Sequence, residues 1–223
     1  LSQCRMQDSS VQAQAAPEKL NRRQAAKVRT RQKVLESARG LFAERGYDPA
    51  TIRDIAKGAG MSTGAVFANF QDKAELFEAV LIDDLAKLAE DMRRGARKDG
   101  DLKTRLLAVL DAGYHATLDH LPLMQAFIAR SWFQPHAAEV RARAAGRNVQ
   151  AVIADILQDG VRSGDLAQDA DVKLLGEMIW DAYLSNYRKA AYDGWDLKGL
   201  SDRLSAQLDL ILGGAGKAMR KAA

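Results

Sequence analysis

Apolar residues recur along this chain at helical spacing, and no stretch keeps the strict alternation of a half-buried strand. From Val28 to Glu44 the positions Val34, Leu35, Ala38, Leu41 and Phe42 share one helical face, and Gly46 follows where a helix can end in a left-handed residue. Between Thr51 and Lys73 the pattern shortens into two brief segments. Thr51 caps the first, with Asp54 placed to return a bond to the capping amide, and Ile52, Ile55 and Ala56 form its apolar face. Gly58 and Gly60 stop that helix. Ser62 caps the second segment, from Thr63 to Phe70, which is expected to bury Val66, Phe67 and Phe70. Another capping box, Asp72 with Glu75, opens a helix running to about Met92. After the charged connection Gly95 to Asp101, helices are predicted at about 101 to 118, 122 to 133, 136 to 163, 170 to 190 and 198 to 218, with Pro122, Pro135, Gly164 and Gly194 as punctuation.

The pattern therefore predicts an all-α chain: a three-helix helix-turn-helix unit at residues 26–74, then a larger helical domain at 75–223, with residues 1–25 as a disordered basic arm. The last two predicted helices each carry an apolar stripe. One contains Leu174, Leu175, Met178, Ile179 and Ala182, the other Leu200, Leu204, Leu208, Ile211 and Leu212. So broad a stripe on the final helix points to a homodimer interface through Leu175, Ile179, Leu204, Leu208, Ile211 and Leu212, with internal packing as the alternative.

Composition adds a class to this outline. With 223 residues and 47% hydrophobic content the chain has ample material for a core, and only four prolines interrupt it. The net charge of +4 is unevenly placed. Residues 1–75 hold 13 basic and 8 acidic side chains, whereas residues 76–223 hold 20 and 21. Seven basic residues between Lys19 and Lys33, with no acidic one among them, suit a polyanionic partner, although a solvated tail would look the same. Cys4 is the only cysteine, which excludes an intrachain disulfide and fits a reducing cytoplasm. No apolar run reaches the roughly 20 residues that span a bilayer, and no signal-peptide centre is evident, so no membrane partner is expected. The chain begins with Leu1 rather than Met, from which a truncated start or an unusual start codon is expected.

Enzyme chemistry finds little support. His115, His120 and His136 are not spaced as paired ligands on one helical face, and no nucleophile elbow or phosphate-cradling loop occurs. Neither catalytic residues nor a metal or cofactor are expected. Two short helices with a glycine-bracketed turn are, by contrast, suited to reading double-stranded DNA, because capped N-termini at Thr51 and Ser62 offer free amides to phosphate.

The run LFAERGYDPATIRDIAKGAGMSTGAVFANFQDKAELF, within a match from about Arg29 to Val80, resembles the DNA-binding domain of the TetR family of bacterial repressors. The resemblance implies roles for residues at matching positions. Thr51 and Lys73 would hold phosphates, Arg53 would reach a guanine edge, and Ser62, Thr63, Gly64 and Ala65 would enter the major groove. The family usually has Tyr at the position of Phe67. Phe67 is accordingly expected to serve mainly in the core with some groove-edge contact, and Asn69 to supply a replacement phosphate contact. The resemblance also implies a palindromic operator, a homodimer and a small-molecule effector held by the helices after Gly95. Candidate lining residues are Tyr114, His115, Met124, Phe127, Trp132, Met178, Trp180 and Tyr183, which suggest an apolar or aromatic compound. A DNA-binding regulator without small-molecule input, using its C-terminal half for dimerisation or protein partners, is the competing expectation.

Overall fold

In the computed structural model, residues 22–131 and 136–217 are described. They form α1 (Arg22–Arg45), α2 (Ile52–Gly58), α3 (Thr63–Phe67), α4 (Lys73–Gly95), α5 (Leu102–Thr117), a 3-10 turn (Leu118–His120), α6 (Leu121–Ser131), α7 (His136–Ser163), α8 (Val172–Asp193) and α9 (Leu197–Lys217). Among the described residues there is no strand, in keeping with the all-α reading. Short acceptors start several of these helices. Asp72, Asp101 and Asp171 accept the amides of Glu75, Thr104 and Leu174 at 2.8, 2.8 and 3.0 Å, which satisfies donors that a helix cannot satisfy itself.

Two boundaries differ from the sequence reading. α1 begins at Arg22, so residues 22–25 are helical rather than part of a disordered arm; residues 1–21 lie outside the described residues. α3 ends at Phe67, because Ala68 caps it and Asn69 and Phe70 turn the chain toward α4.

Apolar burial divides the molecule into two cores, and the division falls inside α4. Val34, Ala38 and Phe42 of α1, Ile55 of α2, Val66 of α3 and Phe70 pack with Leu76, Phe77 and Val80 of α4. From Leu81 onward α4 turns to a second core with α5, α7, α8 and α9, through Leu85, Leu88 and Met92. The chain therefore changes cores between Val80 and Leu81, several residues beyond the expected boundary at 74 and 75. Leu123 of α6 is the exception, since it inserts into the first core from the far side of the junction.

The stripes assigned to a dimer interface serve mainly inside the chain. Leu175 is 6% exposed, and Ile179, Leu204 and Leu208 are fully buried in the second core; Ile211 and Leu212 pack partly against it. The reason is that α8 and α9 pack on each other while α9 also lies on α5 and α8 on α7, so both helices find partners within the monomer. Their outer faces instead present Leu174, Met178 and Leu210, the last 77% exposed. Leu204→Ala should therefore lower the unfolding free energy by about 2–5 kcal/mol, whereas Leu210→Ala should stay within about 0.5 kcal/mol. Denaturant titration of protein dilute enough to be monomeric checks both.

Candidate nucleic-acid interface and effector cavity

The helix-turn-helix is held by contacts that leave its outer end bare. Thr51 Oγ1 accepts the Asp54 amide at 3.1 Å and donates to Asp54 Oδ2 at 2.7 Å, so the return bond of this box goes to the hydroxyl rather than the expected main-chain amide. Gly58 lies against α1: a Cβ there would meet Ser37 Oγ at 2.4 Å, and that hydroxyl is already bonded to the Ile55 carbonyl at 2.8 Å. Gly60, at φ +68, makes the turn in the left-handed region. Ser62 then accepts the Ala65 amide at 3.2 Å and starts α3.

Ser62, Thr63, Gly64 and Arg53 are exposed, while Val66 faces inward. A Cβ on Gly64 would meet only Ser62 Oγ, at 3.8 Å, so glycine is not required here for helix packing. Phe67 corrects an expectation. It is 55% exposed because α3 is a single turn and a half, and Val66 and Phe70 already occupy its inner side. The aromatic ring lies on the same exposed unit as Thr63 and Gly64 and is not a core residue.

Two expected phosphate contacts are instead internal. Lys73 Nζ donates to the carbonyls of Tyr47, Asp48 and Ala50 at 3.0, 3.2 and 3.1 Å and lies 4.2 Å from the centre of the Tyr47 ring. All three ammonium protons are thereby used to fold the α1–α2 link onto α4. Asn69 Nδ2 donates to the Ala65 carbonyl at 2.9 Å, and its main-chain oxygen accepts from Arg31 Nη1 at 2.9 Å, so Asn69 closes the end of α3. Arg31, part of the basic run, also lies 4.1 Å from the Phe70 ring and packs as much as it charges the surface.

The predicted effector residues do not line one cavity. Tyr114 and Tyr183 are fully buried and stacked at 4.4 Å, Tyr187 meets both rings edge-on, and Trp180 stacks on Tyr183 at 5.3 Å. These rings fill the centre of the second core. Their hydroxyls are bonded: Tyr114 to the Tyr183 carbonyl at 3.0 Å, Tyr183 to Tyr187 at 2.8 Å, and Tyr187 to Thr117 at 2.5 Å. Burial raises the pKa of all three phenols, that of Tyr187 to about 12. His115 is exposed, Met178 faces outward at 45% exposure, and Trp132 lies outside the described residues.

A cavity of about 270 Å³ opens instead near the junction of the two cores. Leu81, Leu85 and Leu88 of α4, Ala116 and Thr117 of α5, and Leu123, Met124 and Phe127 of α6 form its walls. Met124 and Phe127 are the two predicted residues that line it. Arg39 of α1, Asp84, Lys87, Asp91 and His120 complete it. Arg39 bonds Asp84 Oδ1 at 2.6 Å and also pairs with Asp83, which Lys87 approaches at 2.9 Å. Burial nevertheless raises the Asp84 pKa, outweighing the guanidinium beside it. Leucines at Leu81, Leu85 and Leu88 read only as a helix stripe in sequence; nothing local distinguishes a stripe that faces a cavity from one that faces packed side chains.

α6 touches the cavity and the first core together. Arg130, one turn beyond Phe127, places its guanidinium 3.9 Å from the centre of the Tyr47 ring. Lys73 approaches the same ring at 4.2 Å, so the α1–α2 link contacts cations from both α4 and α6. Lys73→Ala should lower the unfolding free energy by about 2–3 kcal/mol, through lost charge-assisted bonds to three carbonyls. Thermal unfolding without DNA measures this, and native-like stability would return Lys73 to a surface role.

Comparison with known proteins agrees with this geometry. Residues 34–80 match the family model of the bacterial regulatory proteins of the tetR family, a span that ends where α4 changes cores. The HTH-type transcriptional repressor AcnR of Corynebacterium efficiens is 48% identical over 63 residues, which cover 28% of this chain and 34% of that protein. The chain thus spans about a third of the length of the AcnR relative it matches. The HTH-type transcriptional repressor KstR2 of Mycobacterium tuberculosis is 29% identical over 163 residues, covering 71% of this chain and 80% of the relative. Among solved structures, FadR from Bacillus subtilis in complex with stearoyl-CoA superposes with a TM-score of 0.70 at 19% identity, covering 82% of this chain and 98% of that one. Residues 34–80 thus match the tetR family of bacterial regulatory proteins, and the helical fold is similar to that of solved regulators.

Proposed function

We propose that this protein is a non-enzymatic transcriptional repressor of the cytoplasm that binds a palindromic operator as a homodimer and is released by a small apolar effector. The observation that carries this reading is the bare outer end of the helix-turn-helix. Ser62, Thr63 and Gly64 are exposed, with no internal packing reason for glycine, beside the exposed Phe67 ring and the exposed Arg53 side chain. Such an end offers amides, hydroxyls and one guanidinium to a duplex. Thr51, Ala65 and Arg53 keep the groove or phosphate roles that the family resemblance implies, while Lys73 and Asn69 act by holding the unit together.

The dimer surface is the outer face of α8 and α9, where Leu174, Met178 and Leu210 are exposed. Two reading helices set by that interface must meet major grooves about 34–36 Å apart or at a multiple of that distance. An effector that favours another spacing then lowers DNA affinity through its different affinities for the two arrangements. Support for a small-molecule input comes from the cavity at the junction, and one relative of the same fold was solved with stearoyl-CoA. The tyrosine-filled centre favours the second reading, a regulator without an effector, in which no compound changes DNA affinity.

Selection from random duplexes, followed by binding measurements, tests the reading. Arg53→Ala should reduce discrimination at one base pair by about 1–3 kcal/mol. Gly64→Leu should retain the fold and weaken operator binding more than about tenfold, since the added side chain meets the duplex and not the protein. The pair Met178→Glu and Leu210→Glu should yield a monomer in light scattering, because like charges replace the exposed apolar face. Failure of the native protein to select any inverted repeat would refute the proposal.

A further inference from the structure

The cavity carries chemical information about its occupant, and the hydroxyls behind it fix most of that information. Thr117 lies within hydrogen-bond distance of both the Gly113 carbonyl, at 2.8 Å, and the Tyr187 hydroxyl, at 2.5 Å. The Tyr183 hydroxyl meets the Tyr187 hydroxyl at 2.8 Å. One arrangement gives every hydrogen of this row an acceptor. Tyr183 donates to Tyr187, Tyr187 donates to Thr117, and Thr117 donates to the Gly113 carbonyl, which can only accept. A reversal takes from the buried Tyr183 hydrogen its acceptor at 2.8 Å. Thr117 Oγ1 therefore has its hydrogen committed and one lone pair remaining.

The charged side chains of the lining lead to a second restriction. Arg39 is held by Asp83 and Asp84, Lys87 by Asp83, and Asp91 by Arg94. An ionic ligand would have to displace a carboxylate from Arg39, whose side chain is 18% exposed, or stand against leucine and phenylalanine walls, and both are unfavourable. Size adds a third restriction. A dry cavity of about 150 Å³ suffices for benzene, so about 270 Å³ holds a substituted ring or a short branched chain.

We propose that the cavity between α4, α5 and α6 binds a small uncharged apolar molecule that donates a hydrogen bond to Thr117, a phenol or a compact alcohol by class. This deepens the effector reading above and rests on it for any consequence at DNA, but binding itself is measurable on the protein alone.

Calorimetric titration of the full chain with p-cresol, 4-methylanisole, 4-methylbenzoate and 4-methylbenzylamine at neutral pH separates the possibilities. p-Cresol should bind about tenfold more tightly than 4-methylanisole, which lacks the donor, and the two ions should bind more weakly still. Thr117→Val should remove the preference for p-cresol over 4-methylanisole, and Thr117→Ser should restore it, which a general loss of folding would not do. Leu88→Trp, which fills the cavity, should abolish binding of both. Equal or tighter binding of either ion, an unchanged preference in Thr117→Val, or no binding by any of the four to folded protein overturns the proposal. Operator affinity is then measured with p-cresol present: tight binding without release leaves the site standing and removes the effector role.

Discussion

A single uninterrupted helix, α4, belongs to both hydrophobic cores, and that sharing is the constraint on which the rest of the molecule depends. Leu76, Phe77 and Val80 lie among the side chains of the reading unit; Leu81, Leu85, Leu88 and Met92 lie among those of the larger helical half. A helix keeps its backbone bonds over its whole length, so one half of α4 cannot rotate or shift far without carrying the other. Interiors packed this densely answer such a shift by repacking rather than by yielding smoothly. The Arg141–Glu78 ion pair adds a tie from α7 to the stretch of α4 that faces the reading unit, and Arg39 ties α1 to α4 through Asp83 and Asp84.

The second connection is smaller and more local. The link between α1 and α2 has no secondary structure of its own to hold it, and its carbonyls at Tyr47, Asp48 and Ala50 are bonded to one ammonium. The Tyr47 ring beside them also lies against Arg130 from α6, the helix that contributes Leu123, Met124 and Phe127 to the cavity. α6 thereby contacts the link immediately before Thr51, the cap of α2. Two routes, α4 and α6, join the cavity to the reading unit, and Leu123 lies on both the cavity wall and the first core.

The centre of the larger half is solid. Tyr114, Tyr183 and Tyr187 occupy the space in which a ligand would otherwise be sought, and Asn186 links them to Gln207 and Arg203 on α9 with bonds of 2.7 and 3.0 Å. Close approach is needed for this. A Cβ on Gly113 would stand 2.6 Å from the Tyr183 hydroxyl, so the tyrosine row depends on a glycine in α5. The available space is displaced toward the reading unit, between α4, α5 and α6.

Helices, caps and the helix-turn-helix were legible in the sequence because their determinants are local. Thr51, Ser62 and Asp72 act on amides three residues away, and apolar spacing marks each buried face. The family resemblance rested on the same compact stretch. What only the tertiary structure decided was the partner of each side chain across the chain. Lys73 and Asn69 are polar residues of the helix-turn-helix unit, yet carbonyls more than 20 residues away take the Lys73 donors and the Ala65 carbonyl takes that of Asn69. Phe67 reads as core by its composition, yet a helix of five residues has too little circumference to bury it along with Val66. Leu204 and Leu208 form an interface-like stripe that the fold covers internally, and Tyr114 and Tyr183 look like a pocket but pack together as its filling. Local pattern sets which face of a helix is apolar; whether that face meets another helix, a cavity or a second molecule depends on where the remaining helices come to lie.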